Sequence, residues 1–247
     1  MKLERIGWIL PVLAFVCIWE ALARANFLPQ CIFPSFTQVM TTMYLLLTNG
    51  VLVKNFVSSL LRVLAGFFLG SVAGICVGIL MGCNEAINNA LHPIFSYLMA
   101  IPALGWLPLL MVWIGISEAL PIIVIFICSF FPILYNTVTG IRGVDREIID
   151  VARVLGASKR KLLTTIILPL ALPNIFTGLR LEAGMAWRVV IVAEMVAIPV
   201  GIGALLMSSE SLLRVDIIVA CLMVLGVMCF LFEKALILIE KKMIKWR

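Results

Sequence analysis

The chain has 247 residues, of which 63% are hydrophobic and only 13% are charged, and its mean hydropathy is +1.17. Soluble domains average about 45–50% apolar and about 25% charged residues, so this composition excludes an ordinary soluble protein and indicates a membrane protein with several spans. No stretch outside the apolar blocks is long enough to build its own core, and we therefore expect one all-α membrane domain over residues 1–247.

A helix needs about 20 mostly apolar residues to cross a bilayer, and six segments come near this length. Their expected bounds are Trp8–Ala23, Leu60–Gly82, Ile94–Ile116, Ala119–Ile141, Ile175–Pro199 and Ile217–Ile239. The first segment also imitates a cleavable signal peptide, because a basic start precedes it and Ala21-Leu22-Ala23 ends it. Glu20 directly before that site argues against cleavage, so we keep this segment as the first span.

The Lys and Arg residues are divided unequally between the connections. If the N-terminus is cytoplasmic, 13 of the 19 lie on the cytoplasmic side, while Arg180 and Arg188 lie within a span. The other 4 are counted on the outer side and are Arg24, Lys54, Arg62 and Arg214. The positive-inside rule therefore predicts cytoplasmic termini. The net charge of +6 then reflects topology and contact with membrane lipid, and we expect no nucleic-acid partner.

Glycine recurs every four residues along the second expected span, at Gly66, Gly70, Gly74, Gly78 and Gly82. Small residues at this spacing let helix backbones approach closely, which is the main packing device in lipid. Because four residues advance about 400° around a helix, the row winds slowly, and we expect several neighbouring helices to pack against it.

The third expected span contains Pro102, Gly105, Pro108 and Gly115. Proline removes a backbone donor, and broken backbone at membrane depth is tolerated only where protein or a water-filled cavity satisfies it. We therefore expect this span inside the helix bundle, either lining a solute path or forming a packed kink.

Residues 143–173, between the fourth and fifth expected spans, form a basic amphipathic segment. Asp145 is placed to cap a short helix. Its expected apolar stripe consists of Ile148, Ile149, Ala152 and Leu155. A helix with one apolar face and several charges favours a position at the membrane surface rather than in the lipid.

Turn and cap residues follow this short helix. Gly156 stands where a left-handed C-terminal cap is needed, and Ser158 is placed to cap a second helix. Pro169 and Pro173 are expected to limit how far the second helix continues. The segment could lie on anionic lipid or fit the groove of a cytoplasmic partner, whereas no nucleophile and base pair supports a catalytic loop.

The spacing in this segment resembles the EAA loop of ATP-binding-cassette (ABC) importer permeases, in which Glu-Ala-Ala, Gly, Ile and Leu-Pro stand at fixed intervals. This chain has Asp150-Val151-Ala152, Gly156, Ile166 and Leu168-Pro169, with every interval kept and with Asp and Val replacing Glu and Ala in the triplet. The resemblance implies that residues 143–173 are a coupling loop that docks on an ATPase. The implied contact residues are Glu147, Asp150, Ala152, Arg153, Gly156, Ala157, Ser158, Ile166, Leu168 and Pro169.

Further motifs extend the resemblance over nearly the whole chain and favour the branch that transports nitrate, sulfonates, taurine and bicarbonate. They are Ser59-Leu60, Arg62-Val63-Leu64, Gly66-Phe67, Ile101-Pro102, Pro108-Leu109, Ala186-Trp187, Ala193-Glu194-Met195 and a basic tail with Trp246.

This resemblance implies a type I importer permease fold and a homodimer in a prokaryotic cell membrane. It also implies two copies of a separate ATPase, which would bind ATP and Mg, and an extracytoplasmic solute-binding protein. The chain itself contains no G-x-x-x-x-G-K-[ST] phosphate loop, so we expect a transporter subunit without enzyme activity and without its own cofactor.

The fifth expected span carries four charged residues. Arg180 and Glu182 lie near its cytoplasmic end, where we expect them to snorkel or to meet the coupling loop. Arg188 lies near the midpoint of the span, where an arginine costs about 2.5–3.5 kcal/mol. Glu194 lies about 240° further around the helix and cannot pair with it. Arg188 is therefore either part of an anion path or one partner of a structural ion pair between helices.

The same path hypothesis includes Gly184, Pro102 and Trp106. Glu194 belongs to one of the family motifs and would shape an outer gate or meet the delivering protein. The alternative for Glu194 is a hydrated carboxylate at the membrane interface.

The seven cysteines fall singly and His92 is the one histidine, so we predict no metal site and no His-based catalytic site. Two other classes of function stay open on the residues alone. A self-contained secondary transporter would usually show internal repeats, and a polytopic membrane enzyme would need a catalytic constellation.

Overall fold

A computed structural model of the protein describes residues 9–25 and 29–244, which form helices and their connections without any strand in these ranges. The helices are α1 (Ile9–Arg24), α2 (Phe36–Thr48), α3 (Val51–Cys83), α4 (Glu85–Ala100), α5 (Leu107–Ile114), α6 (Ala119–Arg142), α7 (Arg146–Val154), α8 (Lys159–Ala197), α9 (Ile202–Ser211) and α10 (Val215–Met243). The predicted all-α fold is confirmed. Trp8 and the basic tail with Trp246 lie outside the described residues.

Four described helices, α3, α6, α8 and α10, are long and apolar enough to cross a membrane. The pair α4 and α5 makes a fifth candidate span, bent by 86°. Helix α1 is described over 16 residues, and a bilayer requires about 20. By length and composition the described ranges contain four or five spans, and the expected number of six is not confirmed.

The third expected span, Ile94–Ile116, is wrong as a single straight helix. Asn84 caps α4 through its side chain, so the helix begins nine residues before Ile94. Ile101 adopts an extended backbone and Pro102 follows it, because a residue before proline avoids the helical region and proline has no N–H to donate.

Helix α5 lies at the edge of the described bundle rather than inside it, contrary to the expectation for this span. Leu107 and Leu110 are buried, whereas Val112 and Trp113 are largely exposed. Gly115 ends the helix with a left-handed φ of 72°. Only one face of α5 therefore packs against this chain.

The glycine row of α3 packs against one helix, α6, and the expectation of several neighbours is wrong. A Cβ atom at Gly66 would lie 2.7 Å from the carbonyl oxygen of Ile122, and at Gly82 a Cβ would lie 2.9 Å from the side chain of Ile141. These contacts extend along nearly the whole length of α6. Helix α6 therefore follows the glycine row as the row winds around α3. Backbone contact of this closeness requires glycine.

Helix α3 begins at Val51, nine residues earlier than the expected start at Leu60. Lys54, which was counted as an outer-side charge before the expected span, is therefore inside a helix. Gly50 precedes α3 with a left-handed φ of 71° and makes the turn that separates it from α2.

Helix α8 runs without a break from the coupling loop to Ala197, so the expected stop near Pro169 or Pro173 is wrong. Residues Leu163–Ile167 form a π-helical turn that ends two residues before Pro169, and Pro173 lies inside the following α-helix. The wider π turn accommodates a proline that lacks a backbone donor, because the hydrogen-bond register shifts by one residue there.

Among the described residues the largest fully buried side chain is Trp187 of α8, whose ring is parallel to that of Phe56 of α3 with the ring centroids 6.4 Å apart. Around it, apolar residues of α3, α6 and α8 form the main core. The core therefore holds α8 centrally, with the coupling loop attached to one of its ends.

Candidate functional site

The coupling loop has the local geometry that its sequence predicts. The Asp145 side chain accepts a hydrogen bond from the Glu147 N–H at 3.0 Å, and the Ser158 hydroxyl accepts one from the Lys161 N–H at 3.3 Å. Gly156 has a φ of 81°, and the N–H of Ala157 donates to the Ala152 carbonyl at 3.0 Å. This is a Schellman turn, which fixes the angle between α7 and the start of α8.

The apolar residues of α7 divide between two faces. Ala152 is buried and Ile149 is half-buried, so these two hold the helix to the rest of the chain. Ile148 and Leu155 belong to the expected stripe but are exposed, and they are joined by Val151 and Val154. The expectation of a single stripe is therefore wrong, because α7 has an inner contact and a separate outer apolar face.

That outer face is exceptional for a helix with this many charges. Val154 is 88% exposed and Leu155 is 81% exposed, while Asp150 and Arg153 beside them form an exposed ion pair at 3.2 Å. Ile148, Val151 and Leu155 are spaced i, i+3 and i+7, which is the anchor pattern of a helix that lies in a groove. The charges make burial deep in lipid unfavourable, so these apolar residues suit the groove of a protein partner or the surface of the membrane.

The later coupling-loop residues lie on α8 itself. Ile166 is in the π turn, and Leu168 and Pro169 begin the regular helix after it; all three are half-buried. The loop and the span are therefore one continuous element.

Arg188 lies on an exposed stripe of α8. Leu181, Met185, Val192 and Val196 form the rest of this stripe at helical spacing, and all of them are apolar. Among the described residues no carboxylate lies within 4.0 Å of the Arg188 guanidinium, and its side-chain hydrogen bond is to Met185 Sδ at 3.6 Å. A structural ion pair within the described part of this chain is therefore not found.

The other residues of the path hypothesis lie on α8, at the bend after α4 and in the segment before α5. Gly184 lies one turn before Arg188 and has open space where a Cβ would be. Pro102 is exposed at the bend between α4 and α5, and Trp106 packs against the main core. Glu182 is buried, and its carboxylate lies 3.5 Å from the Cys128 thiol. Arg180 pairs with Glu240 of α10 at 3.2 Å. The expected contact of these two residues with the coupling loop is therefore not found.

Glu194 is fully buried, so the expectation of a hydrated interfacial carboxylate is wrong. Its Oε1 accepts hydrogen bonds from Arg62 Nη1 at 2.6 Å and from the Ser59 hydroxyl at 2.8 Å, and its Oε2 accepts one from the Gly203 N–H at 3.0 Å. Arg62 also binds Glu118 through two parallel hydrogen bonds of 2.7 and 2.8 Å. The cluster joins α3, α8 and α9 at the end of the bundle opposite the coupling loop.

This cluster was not predicted, because Arg62 was counted with the charges on the outer side of the membrane. The signal was present, since Arg62 stands within an apolar run and a charge in a span needs a partner. Elsewhere in residues 9–25 and 29–244, no group of three His, Cys, Asp or Glu side chains is arranged to hold a metal ion.

Comparison with known proteins decides the family. Residues 70–245 match the family model described as the binding-protein-dependent transport system inner membrane component. The chain is also 39% identical to a putative ABC transporter permease protein of Methanocaldococcus jannaschii, over 96% of this chain and 90% of the relative. The chain belongs to this permease family.

Two further relatives have names that state a solute. A putative aliphatic sulfonates transport permease of Bacillus subtilis is 32% identical and covers 99% of this chain and 90% of its own length. A bicarbonate transport system permease of Synechococcus elongatus is 36% identical over 92% of this chain and 86% of the relative. The branch suggested by the sequence motifs is thereby confirmed.

The fold of this permease matches that of a solved transporter. The inward-facing MetNI methionine ABC transporter aligns with a TM-score of 0.68 and 18% identity, over 78% of this chain and 96% of that chain. The predicted type I importer permease fold is therefore confirmed. The protein is a multi-pass membrane protein and a transporter subunit.

Proposed function

We propose that the chain is the membrane-spanning subunit of an ABC importer for a small anion and that α7 docks on a separate cytoplasmic ATPase. The observation that carries the proposal is the outer apolar face of α7, which is exposed on a charged helix and has no partner in the described chain. ATP and Mg would bind the ATPase. The docking would place the coupling loop and both chain termini in the cytoplasm.

The exposed stripe of α8 supports a dimer with a central path. A guanidinium facing lipid at this depth costs about 2.5–3.5 kcal/mol, whereas a water-filled path between two copies would solvate it. Two copies of Arg188 across such a path would attract an anion. The relatives named for sulfonates and bicarbonate favour a sulfonate, taurine, nitrate or bicarbonate ion, delivered by an extracytoplasmic binding protein.

Purification of the tagged chain with its co-expressed ATPase tests the docking. Gly156→Asp strains the left-handed turn and adds a carboxylate beside the outer face of α7, so we expect the ATPase to be lost. Gly50→Asp is the matched control, since Gly50 has a φ of 71° and open space but lies at the opposite end of the bundle. Equal ATPase recovery with both variants would refute the docking, and uptake without any ATPase would favour a secondary transporter.

A further inference from the structure

A cleft of about 780 Å³ opens between α4 and α6 at the end of the bundle that carries the coupling loop. Its polar lining residues are Asn88, Asn89, His92, Tyr135, Thr139 and Arg142. The cleft is separate from the stripe of Arg188 and from the Glu194 cluster. No step of the proposed transport function uses it.

The lining of the cleft offers hydrogen-bond donors and one positive charge. None of the nine described residues that line it is an aspartate or a glutamate. Arg142 donates from Nη2 to the Met81 carbonyl at 3.2 Å, which anchors the guanidinium at the end of α3 and leaves its other N–H groups available. No carboxylate lies within 4.0 Å of Arg142 in the described part of the chain.

Asn88 adds hydrogen-bond donors to the lining of the cleft. It is only 7% exposed and lines the cleft, and no described residue accepts a hydrogen bond from its Nδ2. Its side-chain oxygen is inaccessible to solvent, so the amide N–H groups are the part of Asn88 that a ligand in the cleft can contact. A ligand that accepts hydrogen bonds would satisfy these donors.

Contacts between α4 and α6 hold the two walls of the cleft together. The Tyr135 and Ser96 hydroxyls lie 2.8 Å apart, and Ser96 Oγ lies 3.4 Å from His92 Nδ1. The His92 ring packs edge-on against Tyr135 with ring centroids 5.5 Å apart. These contacts fix the ring of His92 and leave its Nε2 atom for a ligand.

We propose that this cleft binds a small oxyanion between Arg142 and the amide of Asn88, at the base of the coupling loop. A cation would need carboxylates that the lining lacks, and an apolar ligand would leave Asn88 and Arg142 without partners. The ligand group is a sulfonate, sulfate, phosphate or carboxylate. A free anion and the phosphate of a lipid headgroup share this chemistry.

The position of the cleft gives binding a mechanical consequence, which rests on the proposed function. Arg142 is the last residue of α6, and α7 begins four residues later at Arg146. An anion held by Asn88 and Arg142 ties α4 to the base of the coupling loop. It would favour whichever arrangement of the loop brings the two residues together, and would thereby regulate transport from the loop side.

Binding of sulfate to the full chain in a maltoside detergent tests the site by calorimetry, with chloride at equal ionic strength as the reference. All variants are made in the Arg188→Gln chain, which removes the other proposed anion site. Because calorimetry in detergent measures binding alone, the result does not depend on transport. We expect Arg142→Gln to weaken sulfate binding at least tenfold. Arg160→Gln, which removes the same charge at the same end of the bundle, should change it less than twofold.

A second variant protects the test from misfolding of Arg142→Gln. Thr139 is exposed on the cleft wall, and Thr139→Glu adds a negative charge there without disturbing the core, so it should also abolish binding. Native mass spectrometry of the same samples identifies lipid. Retention of phosphatidylglycerol that depends on Arg142, without sulfate binding, would support the site with lipid as its source. Binding of neither, or binding that both variants leave intact, would overturn the proposal.

Discussion

Arg62 Nη1 lies 2.6 Å from Glu194 Oε1 in the interior of the protein, and this ion pair joins α3 to α8. The Arg62 side chain is 5% exposed and that of Glu194 is fully buried. Each partner compensates the desolvation of the other, and Ser59 and Gly203 satisfy the remaining acceptor positions of the carboxylate. The pair therefore determines how the outer ends of two spans meet.

Removal of one partner of this pair should strongly destabilise the protein. We expect Arg62→Met to lower the stability of the fold by about 3–5 kcal/mol, because it leaves the Glu194 carboxylate buried without a counter-charge. Glu118→Gln is the control, since the Glu118 side chain is 70% exposed and Arg62 keeps its ion pair with Glu194 in this variant. The loss of folded protein on heating in detergent, followed by fluorescence-detected size exclusion, measures both. Similar melting behaviour of the two variants would contradict this interpretation.

Gly66→Ala should destabilise the contact between α3 and α6. The added Cβ would lie 2.7 Å from both Ile122 O and Ile125 Cβ, and overpacking of this kind costs about 1–3 kcal/mol. Gly226→Ala in α10 is the matched control, because no atom lies within 4 Å of the new Cβ and alanine is the better helix former. The midpoint of thermal unfolding should fall in Gly66→Ala and rise in Gly226→Ala, relative to the unchanged protein. Equal midpoints would show that α3 and α6 are less closely packed.

Leu155→Ala should weaken ATPase binding without loss of fold stability. Leu155 is 81% exposed, so its truncation changes the free energy of unfolding by less than about 0.5 kcal/mol. An anchor in an interface contributes more than about 1 kcal/mol, and the dissociation constant should rise about tenfold. Leu212→Ala, at a leucine that is 72% exposed at the other end of the bundle, is the control. A titration of ATPase on immobilised permease distinguishes them, and equal constants would contradict docking through α7.

Arg188→Gln should reduce anion uptake by the reconstituted importer at least tenfold, since the proposed path would lose its positive charge. Arg188→Lys keeps that charge and should retain most of the uptake. Arg180→Gln, on the same helix, breaks an ion pair with Glu240 and should alter stability rather than the preference for anions. Uptake of sulfonate and bicarbonate in proteoliposomes gives the comparison. Unchanged rate and selectivity in Arg188→Gln would remove this residue from the path.

Local signals in the sequence predicted local structure well. The caps at Asp145 and Ser158 and the left-handed turn at Gly156 are confirmed, because each depends on the residue itself and on its immediate neighbours. The glycine row was correctly identified as a packing device. That all five glycines face α6 was not predictable, because it depends on the crossing angle of two helices distant in sequence.

The errors concern proline and charge. Pro102 ends a helix, whereas Pro173 lies inside one, and the difference depends on whether the surrounding turns can adjust their hydrogen bonds. Arg62 and Glu194 are 132 positions apart, so no periodicity links them. The exposure of individual charged residues was not predictable either. Arg188 and Glu194 are both charged residues of one span, and only the fold shows that Arg188 is exposed and Glu194 is fully buried.

The π turn at Leu163–Ile167 gives α8 a place where its twist can change. A π turn holds one residue more than a regular turn, and conversion of it to α-helix would rotate everything on one side by about 100° relative to the other. The coupling loop lies on one side of this turn and Arg188 on the other. The same conversion would lengthen α8 by about 1.5 Å, so rotation of the loop about the axis of α8 and a small displacement along it would be coupled at these five residues.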